Sequence, residues 1–145
     1  MAADIFVVGS GLGASDQVKS VLETVGYDVE VFPDFESAFA ELENQRPSLV
    51  FLDTTSLGFD LGEDIRRMQS VISNLDFILM ADFQDPLLEQ EAGDLGVNSW
   101  LYHPFTAPEI ILKVASVLES ASSVGANGIA EETADTKKEK EETPD

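Results

Sequence analysis

Along this chain, short apolar runs alternate with longer stretches in which apolar residues recur at every third or fourth position. The runs Ile5–Val8, Tyr27–Phe32, Ser48–Leu52, Phe77–Met80 and Val97–Tyr102 read as strands. Ser48–Leu52 is apolar almost throughout, the pattern of a strand buried on both faces of a parallel sheet. Between the runs, Val18, Val21, Leu22 and Val25 share one helical face, with Ser15 or Asp16 as capping residue and Gly26 just past the end. Asp34 caps a second helix that turns Phe35, Ala38, Phe39 and Leu42 inward, and Pro47 stops the connection. Gly62 to about Ser73 carries Ile65, Met68 and Ile72 on its inner face. Asp85–Leu95 predicts a short acidic helix. His103-Pro104 ends the fifth strand, and Thr106 caps a last helix holding Ile110, Ile111, Val114 and Leu118.

Five strands alternating with five helices predict an α/β fold, an open parallel sheet with helices on both faces. Right-handed crossovers and the short length favour a flavodoxin-like (βα)5 three-layer sandwich with strand order 2-1-3-4-5. In that order, chemistry gathers outside the carboxyl ends of the first and third strands, here Gly9–Ser15 and Asp53–Asp60. Residues 1–122 are expected to form the domain. From Ser123 the composition loses its large apolar residues, so residues 123–145 are expected to be a disordered acidic and Lys-rich tail.

Charge then narrows the function. The 145 residues carry 28 acidic and 8 basic side chains, a net charge of −20. Such a chain repels phosphate backbones and anionic membrane surfaces, so neither nucleic acid nor membrane is expected as a partner. It has no cysteine and one histidine, His103, and no Ser in a nucleophile elbow, so no enzyme activity is expected. The start MAADIFVV has no basic leader pattern, and no stretch approaches the ~20 apolar residues of a membrane span. A cytoplasmic location is the resulting expectation.

The candidate chemistry centres on Asp53, a carboxylate at the tip of a central strand, where a ligand or phosphoryl donor can reach it. A turn-capping role for the same residue stays open, since TTSLGFD follows. LVFLDTTSLGFDLGEDIRRM and FILMADFQDPLLEQEAGDLGVNSWLYHPF resemble the receiver domains of two-component response regulators, over roughly residues 4–120. The resemblance implies that Asp53 is the phospho-acceptor, that Gly58 and Asp60 lie on the loop after it, and that HPF stands where the family has Lys-Pro-Phe.

The departures from the family pattern weigh more than the matches. Receivers carry an acidic pair after the first strand that holds Mg²⁺ together with the acceptor, and here Gly9 and Ser10 stand there. Asp16 is a helix-start residue, too far along to replace them. Mg²⁺ takes hard oxygen ligands, so Asp53 alone is a weak metal candidate and no cofactor beyond weakly held Mg²⁺ is expected. Ala81 replaces the hydroxyl residue that reads the phosphoryl group, and His103 replaces the lysine. Gly9, Ser10, Ala81 and His103 are thus degenerate positions, and the expectation is a pseudo-receiver that acts through protein contact. The resemblance implies a contact face on the fourth helix, fifth strand and fifth helix, with Trp100, Tyr102 and Phe105 as partner-binding residues. The acidic run Asp82–Asp94 beside it suggests a basic-surfaced partner. A histidine kinase as partner, and a homodimer, stay open.

Two alternatives remain at this stage. One is a divergent but active receiver phosphorylated on Asp53 by a histidine kinase. The other is a nucleotide or anion site on the Gly9–Gly13 loop, whose GSGLGA matches G-x-G-x-x-A with Glu30 and Asp34 downstream.

Overall fold

The computed structural model describes residues 3–9, 14–55 and 60–126, with side chains through residue 119. The chain divides into two units, residues 1–114 and 115–145. In chain order the elements are β1 (Ile5–Val8), α1 (Ala14–Thr24), β2 (Val29–Phe32), α2 (Phe35–Gln45), β3 (Leu49–Asp53), α3 (Leu61–Val71), β4 (Asp76–Ala81), α4 (Pro86–Asp94), β5 (Trp100–Tyr102) and α5 (Ala107–Ala126). The five strands form one sheet in the order β2-β1-β3-β4-β5, every pair parallel, as the sequence predicts. Residues 127–145, most of the expected tail, lie outside the described residues, and α5 continues past the expected boundary at residue 122.

Alternation along the central strands divides the core. Phe6, Val8, Val50, Leu52, Phe77 and Leu79 point to one face, where they pack with Leu42 of α2, Ile65 and Met68 of α3 and Ala92 of α4. Ile5, Val7, Leu49, Phe51 and Ile78 alternate with them and are fully buried. α1 packs on β1 and β2 and buries Val18 and Leu22. Its Gln17 donates from Nε2 to the Phe105 carbonyl at 2.9 Å, which ties α1 to the turn before α5.

Strand ends differ from the sequence expectation where a backbone N–H serves a neighbouring helix. Tyr27 donates to the Leu22 carbonyl at 3.1 Å and closes α1, helped by the positive φ of 104° at Gly26, so β2 begins only at Val29. Val97 donates to the Ala92 carbonyl at 2.8 Å and closes α4, so β5 begins at Trp100. Helix starts differ too. α1 begins at Ala14, which places Ser15 and Asp16 inside its first turn, and Val25, past its end, is exposed. α3 is capped by Asp60, whose carboxylate accepts from the Glu63 N–H at 3.1 Å. Asp34 and Asp85 cap α2 and α4, and Thr106 and Glu109 form a reciprocal capping box at α5.

Candidate functional site

Parallel register brings the sequence-predicted positions to one edge of the sheet. Val8 is level with Leu52, Asp53 with Met80, and Ala81 with Tyr102, so Gly9, Asp53, Ala81 and His103 follow or end adjacent strands. The His103 N–H donates to the Ala81 carbonyl at 2.8 Å, and a cis peptide bond joins His103 to Pro104. Ser10 and the rest of the Gly9–Gly13 loop through Gly13, like Gly58, lie outside the described residues.

Asp53 is the last residue of β3 rather than the first after it, and it is 2% exposed. A carboxylate this enclosed must be hydrogen-bonded. Thr55 meets that need, donating its backbone N–H at 2.9 Å and its hydroxyl at 2.6 Å to Oδ1 of Asp53. Thr54 holds the next step of the chain, with both its N–H and its hydroxyl 2.8 Å from the Met80 carbonyl. The turn role and the strand-tip position therefore coexist in one residue. Sequence analysis missed Thr55, although Asp followed two residues later by Thr is a recognisable side-chain-to-backbone turn signal.

The other positions contribute little charge or oxygen. Gly9 has no side chain, and its carbonyl accepts from the Ser15 hydroxyl at 3.3 Å. Ala81 is buried and apolar. The His103 ring lies against Phe105 with centroids 4.7 Å apart, and no ion pair joins His103 to Asp53 among the described residues. Asp60 is engaged in capping α3. Mg²⁺ favours several hard oxygens with carboxylates among them, and the described residues of this edge match that set poorly.

The acidic residues that a nucleotide site would need are engaged elsewhere. Glu30, in β2, accepts from Gln45 Nε2 at 2.8 Å, and Asp34 caps α2. The Ser37 backbone N–H and its hydroxyl hold the Asp34 carboxyl below its usual range.

The proposed contact residues separate into two groups. Trp100 and Tyr102 are half-buried, their rings stacked 6.0 Å apart at 4°. The Tyr102 hydroxyl donates to Glu89 Oε2, fastening β5 to α4. Burial, then the bond to Glu89 and its charge, push the Tyr102 phenol up to about 12. Phe105 corrects the sequence expectation: it is 5% exposed, folded into the turn before α5, so its ring presents no contact surface. The large apolar side chains that do stand in solvent here are Phe83, Leu87 and, on α5, Leu112.

No family model matches the sequence. Among curated proteins, the chain is 29% identical over 123 residues to response regulator MprA of Mycobacterium sp. (strain KMS), covering 84% of this chain and 53% of that protein. It is 25% identical over 115 residues to sensory transduction protein RegX3 of Mycolicibacterium smegmatis, covering 79% and 50%. The chain thus spans about half the length of the curated relatives it matches. Among solved structures, the receiver domain of NtrX from Brucella abortus superposes with a TM-score of 0.74 at 25% identity, over 81% of this chain and 99% of that one. Chemotaxis protein CheY4 of Vibrio cholerae superposes with a TM-score of 0.73 at 23% identity, over 81% and 99%. By sequence the chain is similar to response regulators, and it shares the fold of their receiver domains.

Proposed function

We propose that this chain is a receiver-type module of a two-component pathway that acts by protein contact, with Mg²⁺-dependent phosphorylation at Asp53 impaired. The observation that carries this is the enclosure of Asp53. It is 2% exposed and Thr55 already occupies its Oδ1, while Asp82, which follows β4 at the same edge, is exposed to solvent. Phosphoryl transfer depends on neutralising the charge of the transferring group. Gly9, Ala81 and a His103 turned toward Phe105 offer nothing in that role. The partner is a signalling protein, either a histidine kinase or a protein with a basic surface, and the module works in the cytoplasm. Among the described residues no helix is long and apolar enough to cross a membrane.

The test is incubation of the full chain with Mg²⁺ and acetyl phosphate or phosphoramidate, followed by intact-mass measurement. The expected result is an unmodified mass from a folded protein. A phosphoryl adduct that disappears in Asp53→Asn overturns the proposal and establishes the alternative, a divergent receiver switched by phosphorylation.

A further inference from the structure

The corner between β4 and α4 combines two properties that rarely meet on a free surface. Phe83 is 73% exposed and Leu87 is 79% exposed, and only three residues separate them in the chain. Both are surrounded in sequence by acid, with Asp82 and Asp85 beside Phe83 and Glu89 beyond Leu87. Asp82 and Asp85 are exposed as well. No lysine or arginine occurs between Arg67 and Lys113, so no basic residue of this segment neutralises the corner. Neither ion pair among the described residues, Lys19–Glu23 or Arg67–Glu36, involves it.

We infer that this corner docks a basic amphipathic helix of a partner protein. Exposed apolar side chains rimmed by one sign of charge mark an interaction site. A helix with an apolar stripe flanked by Lys and Arg covers Phe83 and Leu87 while pairing with Asp82 and Asp85. A second copy of the chain is the poorer occupant, because a self-complementary interface brings the same acidic residues together on a chain of net charge −20. An anionic lipid surface is repelled by the same carboxylates. The corner also differs from the face over β5 and α5. There Tyr102 is fastened to Glu89, Phe105 is buried and the exposed Leu112 of α5 stands next to Lys113, whereas Phe83 and Leu87 are exposed in a segment without lysine or arginine. Because β4 lies beside β3, the loop after Ala81 leaves the sheet at the same edge as Asp53. A helix seated on Phe83 therefore lies at the edge that holds the Asp53 site.

The inference rests on the proposal that the module acts through protein contact, and it names the partner's chemistry. The probe is a synthetic peptide of Leu and Lys, about 18 residues long, patterned as an amphipathic helix. A peptide of the same composition in scrambled order is the control. Binding to the full chain is followed by titration calorimetry. The patterned peptide should bind and the scrambled one should bind much more weakly. Phe83→Ser/Leu87→Ser should weaken the patterned peptide about tenfold or more. Leu112→Ser, which removes another exposed leucine on α5, should leave binding unchanged. Affinity should fall as salt is raised. Equal binding of the two peptides, or unchanged binding in the double variant, overturns the inference. Self-association of the wild-type chain that the double variant abolishes also overturns it and makes a second copy the occupant. Intact mass after phosphoramidate treatment, measured on the same samples, reports separately on the phosphorylation proposal.

Discussion

Thr55 places two hydrogen bonds on a single oxygen of Asp53, its N–H at 2.9 Å and its hydroxyl at 2.6 Å. Asp53 is almost fully enclosed, so losing the hydroxyl leaves part of a buried carboxylate without its donor. Thr55→Val, which keeps the shape and the N–H, should destabilise the domain by about 1–2 kcal/mol. Thr55→Ser should retain most of the stability. Urea unfolding followed by circular dichroism measures both.

Stability should carry an acid-side signature from buried carboxyls. Burial raises the Asp64 carboxyl above its ordinary value, outweighing the Asp60 N–H and Arg67, and burial raises Asp76 as well. Each group holds its proton more tightly folded than unfolded. Their contribution to stability is therefore full below the ordinary carboxyl range and is lost as pH rises through the raised value. Asp64→Asn keeps an acceptor for the Asp60 N–H without the buried charge. Its urea midpoint should exceed that of wild type near neutral pH, and the advantage should vanish in acid. An advantage that persists unchanged in acid contradicts the assignment to Asp64.

The Tyr102 hydroxyl gives a second titration at the other end of the scale. Its phenol is pushed up to about 12 by burial and by Glu89, so its contribution to stability is present below the ordinary value of 10.0 and fades as pH approaches about 12. Ultraviolet titration of the phenolate should show this late step, and Glu89→Gln should bring it to lower pH. A tyrosine titration that Glu89→Gln leaves unmoved contradicts the link between β5 and α4.

Arg67 joins α3 to α2 by chemistry that a lysine does not reproduce. Its guanidinium lies 4.9 Å from the Phe35 ring centre and 4.5 Å from that of Phe39, while Nη1 meets Glu36 Oε2 at 2.7 Å. Planar stacking and a two-pronged grip on a carboxylate belong to arginine. Arg67→Lys should therefore lower the melting temperature although the charge is kept. An unchanged melting temperature means the contact is incidental on an exposed surface.

In the core, Phe6 meets Phe32 with ring centres 4.7 Å apart and no exposure of its own. Phe6→Ala should cost about 3–5 kcal/mol by chemical denaturation, against far less for the exposed Phe83→Ser.

The order and pairing of the strands were legible because buried parallel strands leave unbroken apolar runs, and Leu49–Leu52 and Phe77–Met80 are such runs. The gathering of Gly9, Asp53, Ala81 and His103 followed from topology alone, since parallel strands end on one edge. Boundaries were less legible where hydrogen bonding overrides hydrophobicity, as at Tyr27 and Val97, apolar residues that close helices instead of extending strands. Periodicity also says nothing inside a turn. Phe105 and Phe83 are alike in sequence, yet one folds inward against His103 and the other faces solvent. The grip of Thr55 on Asp53 was the least visible feature, because it depends on how the chain bends after β3.

That grip changes what an aspartate at the end of a central strand signifies. A side chain that fixes the first bend of a loop has its own reason to stay in place, whether or not a phosphoryl group ever reaches it. In this chain Asp53 works as a hinge pin for the loop leaving β3. Its presence therefore testifies to the architecture of that loop, and only the residues around it testify to phosphorylation.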